Sequence, residues 1–238
     1  MPPRSKPSYV GVGSFLPPDA DLATLASAAE GCRGCDLHEL DNRTVFGEGP
    51  PQARVVLVGE QPGDQEDRRG RPFVGPAGQL LDRALAEAGV DREQAYVTNT
   101  VKHFKYRAQG RRRIHQTPDT YEVAACAAWL TAELRLLAPE VVVALGATAA
   151  KALLGPSFKV TQQRGQLFDW PPPRGGVAAP VAPAEPDLFA PEPEEAGRST
   201  VVTATIHPSA VLRADDDARD AAFAGLVADL RVVAGVLA

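Results

Sequence analysis

The sequence is poor in cysteine, methionine and aromatic residues. Its 238 residues include three cysteines, one methionine and 6% aromatic residues. An odd and small number of cysteines argues against a disulfide framework. No apolar stretch is long enough to span a bilayer, and residues 1–19 lack the apolar core of a signal peptide. We therefore expect a cytoplasmic monomer that does not associate with membranes.

Positive charge is not in excess either, because the formal net charge is -5. This excludes a uniformly basic nucleic-acid coat but allows a local basic face. Basic residues gather in 102–113 and lead into the run Arg111-Arg112-Arg113-Ile114-His115. Three arginines attract an anion, most simply a phosphate backbone, and the histidine places a nucleophilic imidazole beside it. From these five residues alone, a solvated basic loop with an incidental histidine is the better explanation.

Four short segments rich in β-branched residues predict buried parallel strands at 54–59, 95–99, 141–146 and 200–206. Helical patterns lie between and after them at 77–89, 117–137, 147–154 and 215–236, with Thr117 as the expected N-cap of the second. This alternation predicts an α/β fold of three layers, α/β/α, around a central four-stranded parallel sheet.

Two segments depart from this order. Residues 1–20 are rich in proline and glycine and predict a flexible tail. Residues 171–198 are dominated by proline, alanine and glutamate and predict a disordered insertion, since they cannot bury enough apolar surface. Residues 21–238 are then expected to form a single domain.

Polar motifs follow three of the predicted strands. Glu60 and Gln61 follow the first, Asn99 ends the second, and His207 with Ser209 follows the fourth. Ligands of parallel sheets bind beyond the carboxyl ends of the strands. Each motif alone is equally well explained as a turn, a cap or a surface side chain. Their coincidence at one sheet edge favours a ligand site.

The cysteines form a second constellation. Cys32 and Cys35 make a C-x-x-C pair, and Cys126 lies in the predicted helix 117–137. His103 is the favoured fourth ligand, and His38 is a rival because it lies near Cys35. Such a set can hold zinc or an iron–sulfur cluster. The alternative is a buried apolar Cys126 and a solvated His103.

Five motifs together resemble the uracil-DNA glycosylase superfamily and, within it, the iron–sulfur type-4 enzymes. They are GEQPGDQED (59–67), RPFVGPAG (71–78), TNTVKHFK (98–105), RRRIH (111–115) and HPSAVLR (207–213). Type-4 enzymes usually have alanine at the position of Gln61 and cysteine at that of His103, and they lack the basic loop. Here the chain is more similar to the subgroup called UdgX, which crosslinks itself to uracil-containing DNA. That subgroup usually has lysine where Arg111 stands.

The resemblance implies uracil excision from flipped or single-stranded DNA, with free uracil as product and His115 bonded to C1′ of the abasic site. It implies a 4Fe-4S cluster on Cys32, Cys35, His103 and Cys126. The implied catalytic residues are His115, Glu60 and His207. The implied uracil-binding residues are Gln61, Asp64, Phe73 and Asn99. The implied DNA-binding residues are Arg111, Arg112, Arg113, Arg213 and Ser209.

Three other functions remain open. A conventional glycosylase with repeated turnover would share the fold and the uracil pocket. A non-catalytic iron–sulfur protein would bind DNA and release no uracil. A zinc protein would use the same cysteines with a different metal.

Overall fold

A computed structural model describes residues 11–170 and 200–238. Its main sheet has five strands in the order β2-β1-β5-β7-β6. The strands are β1 (Val55–Gly59), β2 (Ala95–Asn99), β5 (Val141–Leu145), β6 (Phe168–Trp170) and β7 (Thr200–Thr205). The four predicted strands pair in parallel as expected. The expected strand number is wrong, because β6 adds a fifth, antiparallel strand at the edge. Its three residues are too few to show a strand period.

Within the described residues, eight α-helices flank the strands. They are α1 (Leu22–Glu30), α2 (Asp64–Arg69), α3 (Pro76–Ala88), α4 (Thr120–Leu137), α5 (Ala147–Leu154), α6 (Val160–Gln163), α7 (Pro208–Arg213) and α8 (Asp216–Leu237). None of the helices in the described part of the chain is long and apolar enough to cross a membrane.

The start of α4 differs from the prediction. Thr117 is not its N-cap; Asp119 is, and its carboxylate accepts the backbone N–H of Glu122 at 3.0 Å. The Glu122 carboxylate in turn accepts the backbone N–H of Asp119 at 2.7 Å. This reciprocal capping box satisfies two helix-terminal donors. A threonine two residues earlier cannot offer the same pair of bonds.

Alternating side chains of the strands face two separate cores, which gives the predicted three layers. Val55 and Leu57 of β1 point into a core shared with α3 and α8. Val56 and Val58 point into a second core shared with α4 and α5. Because successive strand residues face opposite sides, continuous apolar strands are required where both faces are covered.

A third core packs the N-terminal segment against α4. Val12 is only 3% exposed, and Phe15 and Leu16 pack against the same cluster, which includes the three cysteines. Residues 11–20, which we expected in a flexible tail, therefore include packed side chains. The first ten residues of that tail and the predicted insertion 171–198 lie outside the described residues.

The basic run is not a loop but part of a β-hairpin. Strands β3 (Tyr106–Gln109) and β4 (Arg112–His115) pair antiparallel, with Tyr106 opposite His115. The turn between them contains Gly110 at φ 57°, a conformation that glycine adopts without steric cost. The hairpin extends from the end of the segment that follows β2, and it carries His115 at its base.

Candidate active site

The carboxyl ends of four parallel strands meet at one edge of the sheet. Gly59 of β1 lies opposite Asn99 of β2, and Leu145 of β5 lies opposite Thr205 of β7. The polar residues that follow these strands are thereby brought together, as the sequence predicts. The structure places Glu60, Asn99 and His207 at this edge.

Gly59, Asn99 and Phe73 pack closely together. Asn99 is 2% exposed. A Cβ at Gly59 would lie 2.4 Å from Oδ1 of Asn99 and 2.8 Å from Cζ of Phe73, so only glycine leaves room for both side chains. Phe73 has φ 53°, which is strained for a residue with a side chain. Backbone strain of this kind persists where the surroundings impose it, and it marks Phe73 as a functional candidate.

His207 lies beside Phe73 and is held by α7. Its ring is stacked on the Phe73 ring, with 6.2 Å between centroids and 27° between planes. As the N-cap of α7, His207 accepts the backbone N–H of Ser209 at Nδ1 over 3.1 Å. Burial, followed by the positive charge of Arg213 and the neighbouring His115, lowers the pKa of His207 to about 4. The imidazole is therefore neutral at pH 7.

Glu60 connects the sheet edge to the hairpin. Its Oε1 lies 3.4 Å from Nε2 of His115, and its Oε2 accepts a hydrogen bond from the Thr148 hydroxyl at 2.5 Å. Half of the His115 side chain is exposed. Burial of the remainder is the main reason that the pKa of His115 is lowered. The negative charge of Glu60 raises this pKa, and the positive charge of Arg213 lowers it further.

Gln61 holds both ends of the hairpin, a role that the sequence did not suggest. Its Oε1 accepts the backbone N–H of Lys105 at 3.0 Å. Its Nε2 donates to the carbonyls of Lys105 and Gln116, at 3.2 and 3.1 Å. Lys105 precedes β3 and Gln116 follows β4, so one buried amide closes the base of the hairpin. The Gln61 side chain is thus committed to the hairpin rather than offered to a ligand.

Arg113 joins the hairpin to α2. Its guanidinium donates to Asp64 at 2.6 Å and to Asp67 at 2.5 Å, and it lies over the rings of Phe104 and Tyr106. Only 16% of the Arg113 side chain is exposed. This differs from the expected phosphate contact of Arg113 and the expected pocket position of Asp64. Ion pairs to Arg68 and Arg113 also lower the pKa of Asp64.

The remaining basic residues divide into paired and exposed groups. Lys102 is buried in an ion pair with Glu133, and Lys105 lies 2.7 Å from Glu122. Arg111 and Arg112 are exposed at the turn of the hairpin. Among the described residues, no ion pair is found for these two arginines.

Ser209 and Arg213 are hydrogen-bonded to each other. Arg213 donates to the Ser209 hydroxyl at 3.0 Å, and that hydroxyl lies 2.8 Å from Nδ1 of His207. The two expected DNA-binding residues of α7 therefore also support the histidine.

A family model described as the uracil DNA glycosylase superfamily matches residues 46–231. The chain belongs to this superfamily. The matched segment includes all five strands of the main sheet, the hairpin and the polar residues at the strand ends. The three-layer fold with its mostly parallel sheet is consistent with the fold of the superfamily.

Several relatives are named type-4 uracil-DNA glycosylase, among them proteins of Thermotoga maritima and Archaeoglobus fulgidus. The protein of Thermotoga maritima is 43% identical over 140 residues, which cover 58% of this chain and 69% of the relative. The protein of Archaeoglobus fulgidus is 35% identical over 181 residues, 76% of this chain and 78% of the relative. A type-5 uracil-DNA glycosylase of Thermus thermophilus is 38% identical over 128 residues, 47% of this chain and 54% of the relative.

This member of the superfamily gathers its three cysteines on one side of α4. Cys32, Cys35 and Cys126 are buried, free of disulfides and part of one cluster. The Trp129 indole N–H donates to the Cys32 sulfur at 3.4 Å, and the Lys102 backbone N–H donates to the Cys126 sulfur at 3.4 Å. Burial raises the pKa of Cys35 to about 11 and that of Cys126 to about 12.

Both histidines considered as a fourth ligand line one polar cavity of about 490 Å³ with Cys32. His103 is buried, which lowers its pKa to about 4, and its Nε2 lies 3.1 Å from the Thr44 hydroxyl. His38 Nδ1 lies 2.5 Å from the Cys35 carbonyl oxygen. Within residues 11–170 and 200–238, no three His, Cys, Asp or Glu side chains are arranged around a single metal ion.

A buried network lies beneath Asn99 and was not predicted from the sequence. The Lys102 ammonium donates to the Asn99 carbonyl at 2.9 Å and to the Thr98 hydroxyl at 2.6 Å. Glu133, which is fully buried, accepts from Lys102, from Thr98 and from Tyr96. A lysine in a basic stretch looks like a surface residue, and no sequence signal distinguished it. The network fixes the backbone from which the Asn99 side chain projects.

Proposed function

We propose that this protein excises uracil from DNA and releases free uracil. The observation that carries the proposal is the close packing of Asn99, Phe73 and His207 at the sheet edge of a superfamily member. The similarity to proteins named type-4 uracil-DNA glycosylase supports the same activity. A glycosidic bond inside a stacked duplex is out of reach, so the substrate is a flipped or single-stranded nucleotide.

Recognition of uracil is assigned to Asn99 and Phe73. A side-chain amide offers one acceptor and one donor, which matches the amide edge of uracil. Cytosine presents a different pattern on that edge, so it would leave polar groups unpaired in a buried site. The Phe73 ring supplies an apolar face on which a base can stack. The rigid packing around Gly59 keeps the amide and the ring in fixed positions.

Stabilisation of the departing uracil is assigned to His207. Because Nδ1 accepts the Ser209 backbone N–H, the single proton of the neutral ring belongs on Nε2. That N–H can donate to a uracil oxygen as negative charge develops there. A neutral donor is already in place at pH 7, since the pKa of His207 is about 4. Glu60 can in turn stabilise positive charge on the sugar.

A finer proposal concerns His115, which takes the place of water. An imidazole nitrogen forms a bond to C1′ while the bond from C1′ to uracil breaks, and its electron pair leaves with uracil. The imidazole then carries an N–H proton that Glu60 can accept. This would leave the protein linked to the abasic site, as in the UdgX subgroup. The similarity to type-4 enzymes supports the excision step and gives no support for the covalent step, which rests on the geometry of His115.

A 4Fe-4S cluster on Cys32, Cys35, Cys126 and His103 is the cofactor that we propose. The fit rests on three buried thiols without disulfides, brought together from two segments of the chain, and on two N–H groups directed at their sulfurs. The ligands of a four-iron cluster bind separate iron atoms, so they need not converge on one point. When bound, such a cluster would supply structural support, because its ligands lie in the segment after α1, in the segment after β2 and in α4. His38 is the alternative fourth ligand.

Uracil release tests the proposed function. The protein is incubated with an excess of single-stranded oligonucleotides containing one uracil, thymine or cytosine, and free base is quantified per protein chain. We expect release of free base only from the uracil oligonucleotide. Asn99→Ala should lower the rate of uracil release by about a hundredfold or more. DNA binding without base release would instead identify a non-catalytic DNA-binding protein. Continued release beyond one uracil per chain would identify a turnover glycosylase and reject the covalent step.

Metal analysis of anaerobically purified protein tests the cluster. About four iron atoms per chain and visible absorbance are expected. One zinc atom per chain without visible absorbance would reject the cluster in favour of zinc. Cys126→Ser should lower the iron content, and His103→Ala and His38→Ala, compared side by side, decide the fourth ligand.

A further inference from the structure

The two oxygens of the Glu60 carboxylate have different neighbours. Oε2 accepts the Thr148 hydroxyl at 2.5 Å, and Oε1 lies 3.4 Å from Nε2 of His115. The carboxylate is therefore held on one side by a hydroxyl and faces the imidazole on the other. Hydrogen bonds to an ionised acceptor are short and strong compared with neutral ones.

Thr148 reaches Glu60 because α5 begins directly after β5. The intervening Gly146 has φ 90°, a conformation that favours glycine, and its N–H donates to the Thr205 carbonyl. A Cβ at Gly146 would lie 3.0 Å from Cβ of His207, so this turn passes close under the site. Thr148 is the second residue of the helix and lies at the same sheet edge as Glu60.

We propose that Thr148 is a positioning residue that orients the Glu60 carboxylate toward His115. The inference rests on the roles proposed above for Glu60 and His115. The terminal torsion of a glutamate is broad, so an unheld carboxylate samples many orientations. The hydrogen bond from the Thr148 hydroxyl to Oε2 limits the orientations that the Glu60 carboxylate can adopt. Oε1 is then available to accept the imidazole proton when the bond to C1′ forms and uracil departs.

Substitutions at Thr148 that keep or remove the hydroxyl test this role. Thr148→Val preserves the shape and β-branching and removes the donor, whereas Thr148→Ser keeps the donor. With enzyme in excess over a uracil oligonucleotide, we expect about a tenfold lower rate of uracil release for Thr148→Val, equivalent to about 1.4 kcal/mol. Thr148→Ser should restore the rate to within about threefold of the wild type. DNA affinity and melting temperature should be unchanged in both.

A double-mutant cycle with Glu60→Gln separates positioning from general structure. The loss caused by Thr148→Val should largely disappear in the Glu60→Gln background, because the group that it orients is already changed. Equal losses in both backgrounds would overturn the inference. Thr131→Val is the matched control, since the Thr131 hydroxyl donates to the Ala127 carbonyl within α4 and, among the residues that the structure describes, to no residue of the site; it should leave the rate unchanged.

The failures of the two proposals differ. A wild-type protein that releases no uracil contradicts the proposed function itself. Release by the wild type at a rate equal to that of Thr148→Val contradicts only the role of Thr148. Uracil release is measured because uracil departs as the bond to C1′ forms, so its rate reports the step in which Glu60 accepts the imidazole proton.

Discussion

Nε2 of His115 lies 3.4 Å from Oε1 of Glu60, which joins the hairpin to the end of β1. Residues next to Glu60 and residues near His115 in the sequence hold these two side chains in place. Gln61, the neighbour of Glu60, closes the base of the hairpin, and Arg113, two residues before His115, binds α2. A side chain on a hairpin outside the main sheet is thereby fixed relative to the strand ends, as a reacting group requires.

Gly59→Ala should abolish most activity while the protein stays folded. The added Cβ would lie 2.4 Å from Oδ1 of Asn99, so the amide or the Phe73 ring must move. Displacements of this size cost catalysis about a hundredfold. Uracil release with enzyme in excess measures the loss, and circular dichroism checks the fold. Gly235→Ala in α8 is the control, because its added Cβ meets nothing within 4 Å. A Gly59→Ala protein of normal activity would contradict the assigned pocket.

The two kinds of arginine in the basic run should differ in their effect on DNA binding. Arg111→Gln and Arg112→Gln should each reduce the slope of log affinity against log salt by up to about one, because each exposed arginine would contact a phosphate. The slope is measured by fluorescence anisotropy with a labelled uracil oligonucleotide. A slope unchanged in the Arg111→Gln/Arg112→Gln double variant would contradict the phosphate contacts.

Arg113→Gln should instead lower stability and leave the salt slope unchanged. The change leaves Asp67, which is 3% exposed, without its cation. Loss of hydrogen bonds to charged groups costs about 1.5–3 kcal/mol. Urea denaturation measures the free energy of unfolding. If Arg113→Gln reduced the salt slope without lowering stability, the expected phosphate contact would be right and the anchoring role wrong.

The free energy of unfolding should fall as pH drops from about 6.5 to 4, in part because of His207. Its folded-state pKa of about 4 lies below the ordinary value of 6.5, so the unfolded chain binds the proton first. The stabilisation is fully present above pH 6.5 and is lost as the pH falls toward 4. Each pKa unit corresponds to about 1.4 kcal/mol. His207→Gln should show a shallower decline, measured by urea denaturation at several pH values; an identical decline would contradict the neutral buried imidazole.

The sheet and its functional edge could be predicted because they depend on local pattern. Continuous apolar runs such as 141–145 mark strands that are buried on both faces, and parallel pairing brings their carboxyl ends together. That logic placed Glu60, Asn99 and His207 correctly at one edge. The hairpin was missed because Arg111–Arg113 hide the alternation: Arg113 packs on Phe104 while Arg112 is exposed, although both are arginines.

Pairwise partners could not be predicted from the sequence. Thr148 and Glu60 are 88 residues apart, and Lys102 and Glu133 are 31 apart. Nothing local distinguishes a threonine that begins a helix from one that binds a carboxylate. The same limit applies to Arg113, which binds Asp64 and Asp67, and to Gln61, which binds both ends of the hairpin. In each case the tertiary fold supplies the partner.

A denaturing gel of equimolar protein and uracil oligonucleotide, with alkali treatment of a parallel sample, tests both the excision of uracil and the bond from His115 to DNA. We expect a slowly migrating protein–DNA band with uracil and none with thymine, and loss of that band in His115→Ala. Alkali-cleaved DNA without a retarded band would contradict the covalent step and leave excision intact. An intact uracil oligonucleotide in every lane would contradict uracil excision itself.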